Sequence, residues 1–96
     1  MKLYVLVRGD LSRSQQAVQA GHAVAEFLLE HPSTEWNNGI LVYLKVRNKE
    51  HLHEWFDKIL ESGEPLAWFK EEDIGNEVTA IAALDVEKLV RDLPLL

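Results

Sequence analysis

Apolar and polar residues along this chain follow two different periods, and their changeovers divide it into seven elements. Leu3 to Val7 (LYVLV) is an almost unbroken apolar run, the pattern of a strand covered on both faces, and predicts a strand over 2–8. After the polar turn Arg8-Gly9-Asp10 the spacing becomes helical over 13–30. Ser12 and Gln15 stand there at capping-box spacing, the hydroxyl to satisfy a free backbone N–H and the amide to reach back. Further apolar runs predict strands over 40–46, 66–70 and 78–84. Leu52, Trp55, Phe56, Ile59 and Leu60 recur at helical spacing over 49–61, where the aromatic pair reads as core, and Ser62-Gly63 is a C-cap signal. A last helix over 86–92 takes Asp85 as N-cap, and the polar stretch Glu30 to Asn38 reads as an exposed connection from which Trp36 packs back. The order β-α-β-α-β-β-α predicts an α/β fold: a single-domain three-layer sandwich with a mixed four-stranded β-sheet flanked by helices.

Within the first helix, Gln15, Gln19, His22 and Glu26 recur at intervals of four, three and four. At about 100° per residue they fall in a sector of roughly 60°, with Ala17, Ala20, Gly21, Val24, Phe27 and Leu28 on the opposite side. The polar stripe is therefore expected to face away from the sheet, and by residue type it reads as a solvated helix face. Arg8 and Asp10 follow the first strand at its carboxyl end, where ligands collect in open α/β sheets.

Ninety-six residues, 47% of them hydrophobic, make one domain with one modest core. The absence of cysteine removes disulfides, thiol catalysis and thiolate metal sites. The amino-terminal apolar run is too short for a signal peptide and no segment approaches the roughly 20 apolar residues of a membrane span, so a soluble cytoplasmic protein is expected. His51 and His53 are wrongly spaced for one metal, His22 and His31 lie too far apart, and Glu71, Glu72, Asp73 and Glu77 read as a solvated acidic loop; no metal or cofactor is expected. There is no Gly-rich phosphate loop, and Ser12 and Ser14 are poorly placed for activation by His22. A formal charge of −6 argues against a strong sequence-independent grip on a polyanion. The charge is uneven: residues 1 to 49 carry six Lys and Arg against four Asp and Glu, and residues 50 to 96 carry four against twelve. The basic groups available to an acceptor stem are Arg8, Arg13, Lys45, Arg47 and Lys49, with Lys45 and Arg47 sharing a sheet face or edge.

The turn Arg8-Gly9-Asp10-Leu11 and the helix segment Ser14-Gln15-Gln16-Ala17-Val18-Gln19-Ala20-Gly21-His22-Ala23 resemble the signature of the type-two peptidyl-tRNA hydrolases, the archaeal and eukaryotic class. That signature is an Arg-x-Asp-Leu turn followed by Gly-Lys-x-Ala-Ala-Gln-x-x-His-Ala, and the spacing Ala-x-Gln-x-x-His-Ala is kept. The resemblance runs on through Trp36 and Gly39 before the second strand, Gly63-Glu64-Pro65 in place of Gly-Leu-Pro, Asp73-Ile74-Gly75 in place of Asp-Ala-Gly, and the closing Leu93-Pro94-Leu95-Leu96. It implies a type-two-like fold over residues 1–96 and hydrolysis of the ester between a peptide and the 3′ end of tRNA. Asp73 would orient or activate water, Thr79 with the helix N-terminus would bind the oxyanion or phosphate, and His22 would complete the catalytic set. Arg8, Asp10, Arg13, Gln15 and Gln19 would line the substrate side. Two departures fall in that set: Gln15 stands where the family carries its lysine, and only Asn76-Glu77-Val78 separates Gly75 from Thr79 where the family has a longer loop.

Two readings of function follow. One is a peptidyl-tRNA hydrolase in which Arg8 or Arg13 replaces the lysine. The other is a catalytically silent relative that uses the crevice at Arg8, Asp10, Gln19, His22 and Thr79 to hold a small ligand, an RNA end or a protein partner. The apolar tail Leu93 to Leu96 needs cover on its own sheet or on a neighbour; together with the frequent dimers of the resembling family this predicts a homodimer with the tail at or near the interface.

Overall fold

The computed structural model describes residues 1–96 in the order β1 (Lys2–Arg8), α1 (Arg13–Glu30), β2 (Ile40–Val46), α2 (Lys49–Ser62), β3 (Leu66–Glu71), a single 3₁₀ turn (Glu72–Ile74), β4 (Glu77–Leu84) and α3 (Glu87–Val90). The four strands make one mixed sheet in the order β2-β1-β4-β3. β1 and β2 are parallel, joined through α1, and β4 runs antiparallel to both β1 and β3. β1 is central and buried on both faces, as its unbroken apolar run requires. Leu3, Val5 and Val7 meet Ala20, Ala23 and Phe27 of α1; Tyr4 and Leu6 meet Leu52 and Ile59 of α2. The result is three layers, helix, sheet and helix.

Local chemistry sets the ends of the elements. Ser12 Oγ accepts the Gln15 backbone N–H at 3.3 Å, but the reciprocal half of the capping box does not form, because the Gln15 side chain accepts from Gln19 instead. Asn48 Oδ1 accepts from the His51 backbone N–H at 2.9 Å to start α2, and Gly63 at φ 79° ends it in the left-handed conformation that glycine adopts without strain. Asp85 does not cap the last helix. Its Oδ1 accepts the Lys2 backbone N–H at 2.9 Å, which ties the start of β1 to the end of β4, and α3 is a single turn. Trp36 is buried and its indole N–H donates to the Ile40 carbonyl at 3.0 Å. Trp55 and Phe56 are only half-buried, with Phe56 stacked on Trp68 at 4.2 Å between centroids.

The tail packs on its own sheet. The Lys45 backbone N–H donates to Pro94 O at 2.9 Å and the Leu96 N–H to Tyr43 O at 3.0 Å, so residues after α3 pair with the free edge of β2 and cover part of it. No helix is long and apolar enough to cross a membrane.

One irregularity decides where the polar residues go. On β3, Phe69 faces Ala80 but Lys70 faces Val78, so Thr79 is an extra residue in β4. Strict alternation with Ile81 and Ala83 would aim Thr79 at α2. The bulge re-aims it at α1.

Candidate functional site

The polar stripe of α1 is exposed at Gln15 and His22 but faces the sheet at Gln19. Gln19 is 1% exposed and points onto β4, whereas Ala17, Gly21 and Leu28, expected inside, are exposed. The helix is rolled so that Gln19, Ala20, Ala23 and Phe27 face inward. Burying an amide costs free energy unless its polar atoms find partners, and here all of them do. Gln19 Oε1 accepts from the fully buried Thr79 hydroxyl at 2.6 Å, and Gln19 Nε2 donates to Glu71 Oε1 at 2.8 Å and to Gln15 Oε1 at 3.2 Å. His22, one turn on, lies flat on Phe69 of β3, 4.4 Å between centroids and 6° between planes. The Gln19 amide, helped by the backbone N–H groups of Asp73 and Glu72 and by His22, holds the Glu71 carboxyl below the usual carboxylate range, against a smaller opposing effect of desolvation. Gln15, Gln19, His22 and Thr79 are therefore brought together, joined by Glu71 and Phe69.

Arg8 and Asp10 lie elsewhere. Arg8 continues the α2-facing row of Tyr4 and Leu6, and its guanidinium is nearly buried. It donates to both Asp10 oxygens at 3.0 and 2.9 Å, to Glu77 Oε1 at 2.8 Å and to the Val78 carbonyl at 3.2 Å. Lys49 Nζ approaches Glu77 Oε2 at 3.9 Å. These hydrogen bonds, Asp10 first, hold Arg8 charged against its burial, and Arg8 in turn holds the Asp10 and Glu77 carboxyls below their usual range. Arg8 with Asp10 and Gln19 with Thr79, expected with His22 in a single crevice, thus fall into two hydrogen-bonded sets with no bond between them, adjacent where Glu71 pairs with Glu77, and Arg8 is committed to a pair of carboxylates. Asp73 sits exposed in the 3₁₀ turn, and Arg13 is exposed at the start of α1.

What these clusters offer chemically is restricted. The Thr79 hydroxyl is inaccessible and spends its proton on Gln19, so it presents no donor to an oxyanion. The solvent-facing parts of the α1 cluster are Gln15, the His22 edge and Glu71, with Glu72 and Asp73 beside them, an electronegative rim. Cations gather instead around Gly9. A cavity of about 490 Å³ is lined by Gly9, Lys45, Arg47, His51 and Asp92, and a second of about 460 Å³ by Gly9, Arg13, Ala17, Tyr43 and Lys45. The pairing of Lys45 with Arg47 was visible in their spacing. Glu71, Glu77 and Phe69 were missed as site residues, and only the acidic run at 71–77 hinted at the first two.

No family model matches the chain, and no curated protein does. Among solved structures it is similar to a protein of unknown function, Atu0240 from Agrobacterium tumefaciens strain C58, with a TM-score of 0.72 at 17% identity over 99% of this chain and 96% of that one. At that identity the likeness establishes a shared fold: an α/β domain with a four-stranded mixed sheet.

Proposed function

We propose that the protein is a non-hydrolysing binding module built on a type-two peptidyl-tRNA hydrolase-like fold. The observation that carries this reading is the closed hydrogen-bond set Thr79–Gln19–Glu71, which uses up the hydroxyl and amide that the resemblance would assign to substrate and puts a carboxylate at the rim. Gln15 supplies no ammonium, and moving Arg8 to replace one would break its hydrogen bonds to Asp10, Glu77 and the Val78 carbonyl. One missing oxyanion donor costs on the order of 10² to 10³ in rate. Incubated with labelled peptidyl-tRNA, the purified protein is expected to release no peptide above the buffer blank. Release that falls sharply in Asp73→Asn overturns the reading.

The hydrolase remains the second reading, favoured by the convergence of Gln15, Gln19, His22 and Thr79 on one side of the sheet. It requires Asp73 to orient water, Arg13 to take the place of the lysine, and the Thr79–Gln19 bond to open.

A further inference from the structure

We propose that the two cavities beside Gly9, which lie toward opposite faces of the sheet and meet at Gly9 and Lys45, form one groove around the carboxyl end of β2 for a small organic phosphate, its phosphoryl oxygens held by Arg13, Lys45 and Arg47 and its less polar part lying along Ala17 and Tyr43. This rests on the binding-module reading and names the ligand class. The groove lies at the carboxyl end of β2, the partner of β1 in the sheet's one parallel pair, where open α/β sheets take their ligands. Each cavity, at about 490 and 460 Å³, is of the size that small ligands occupy.

Three further observations point to an anion of limited size. Arg13, Lys45 and Arg47 have no carboxylate within the 4.0 Å of an ion pair, as is true of five other cations of the chain, but these three meet at the lining of adjoining cavities, with the engaged Arg8 and Lys49 beside them. An uncompensated positive field in a concave site concentrates anions. Gly9 lets the Lys45 stem lie against the β1–α1 turn, since a Cβ there would sit 2.8 Å from Lys45 Cδ, 2.9 Å from Cγ and 3.1 Å from the Val46 carbonyl; the lysine accordingly lines both cavities. His51 is tied to structure through one ring nitrogen, since a neutral imidazole has a single acceptor: either Nδ1 takes the Arg47 backbone N–H at 3.0 Å or Nε2 takes the Trp55 indole N–H at 3.2 Å. The one carboxylate in the lining, Asp92, and the acidic excess elsewhere oppose a long polyanion, which suits a ligand with one or two phosphates.

The test is an amide-resolved NMR titration of the intact isotopically labelled protein with inorganic pyrophosphate, with adenosine 5′-diphosphate and with an RNA acceptor-stem hairpin. Saturable shifts are expected at Gly9, Lys45 and Arg47 with the first two probes, tighter for the nucleotide. Lys45→Gln with Arg47→Gln, both on the surface, should weaken binding by about tenfold or more, the usual effect of losing charge-assisted hydrogen bonds. Gly9→Ala, which displaces the Lys45 stem, should weaken it less. No saturable shift at millimolar pyrophosphate, binding unchanged in the double variant, or shifts centred on Gln19, His22 and Phe69 overturns the groove. An RNA hairpin that binds more tightly than the nucleotide, with a steep salt dependence, overturns the small-ligand assignment. Turnover of peptidyl-tRNA would instead overturn the binding-module reading and leave the phosphate titration as it stands, so the two failures are distinguishable.

Discussion

Removing the Thr79 hydroxyl tests whether the α1 cluster is an internal polar network. Thr79→Val keeps the shape and leaves Gln19 Oε1, on a side chain 1% exposed, without its donor at 2.6 Å. An orphaned buried acceptor costs about 1–3 kcal/mol. In a domain of this size each kcal/mol moves Tm by about 4–8 °C, so the variant should melt roughly 5–20 °C lower. Gln19→Leu removes the acceptor instead; the hydroxyl then has only the Phe69 carbonyl, 3.5 Å away, and Glu71 and Gln15 return to water. With both changes no buried polar atom of the pair is left unmatched, and such replacements are close to neutral. The double variant should therefore be less destabilised than the sum of the singles, by about 1–2 kcal/mol of coupling. Urea and thermal denaturation of the four proteins, with m unchanged, measure this. Thr79→Val within about 0.5 kcal/mol of the parent, or strictly additive singles, would refute the reasoning.

Phe27→Ala removes a fully buried ring that anchors α1 on β1 and β4 and should cost about 3–5 kcal/mol by denaturation; a cost near that of a surface change would mean that α1 is held by something else. Asp10, Glu77 and Glu71 have carboxyls held below their unfolded values, so the stability they contribute is present above the ordinary carboxylate range and is lost as pH falls below about 4. The fall in Tm on acidification should be shallower in Arg8→Met, and an unchanged slope would contradict the assignment. His51 is pushed down, first by desolvation and then by Arg47, so its contribution is present above its unfolded value of about 6.5 and is lost as pH falls below that through its lower folded value; His51→Gln should remove that step and no other. We also propose a two-fold dimer, with Leu95, 72% exposed on the β2 edge, near the interface. Light scattering should give about twice 11.0 kDa; the monomer mass would contradict the dimer, and a dimer that survives deletion of residues 93–96 would take the tail out of it.

Element order and most boundaries were legible because β1 and α2 each bury a face whose period is written in the residues and α1 carries helical spacing between clear end signals. Three features were not, and each depends on atoms distant in sequence. The inward roll of α1 rests on Gln19 finding Thr79 and Glu71, sixty and fifty-two residues on, and without those partners an amide at that position would face water. The aim of Thr79 rests on a bulge opposite Phe69 and Lys70, which no alternation pattern in β4 reveals. Asp85 has the residue type of an N-cap, yet its carboxylate is taken by the Lys2 backbone N–H across the sheet. The resemblance implied one crevice for Arg8 and Gln19, but strand alternation sends Arg8 to the α2 side while the bulge and the helix roll assemble Gln19 and Thr79 on the other.

The central claim, that the α1 cluster is closed upon itself, is tested most directly by placing an ammonium at position 15. Gln15→Lys adds an ammonium at the exposed rim, next to Gln19 and Glu71. With protein in excess over labelled peptidyl-tRNA, in a single turnover, the account predicts that both the parent and Gln15→Lys release peptide no faster than the buffer blank, because Thr79 still donates to Gln19 and Arg8 still holds Asp10 and Glu77. First-order release by either protein that Asp73→Asn abolishes would contradict it.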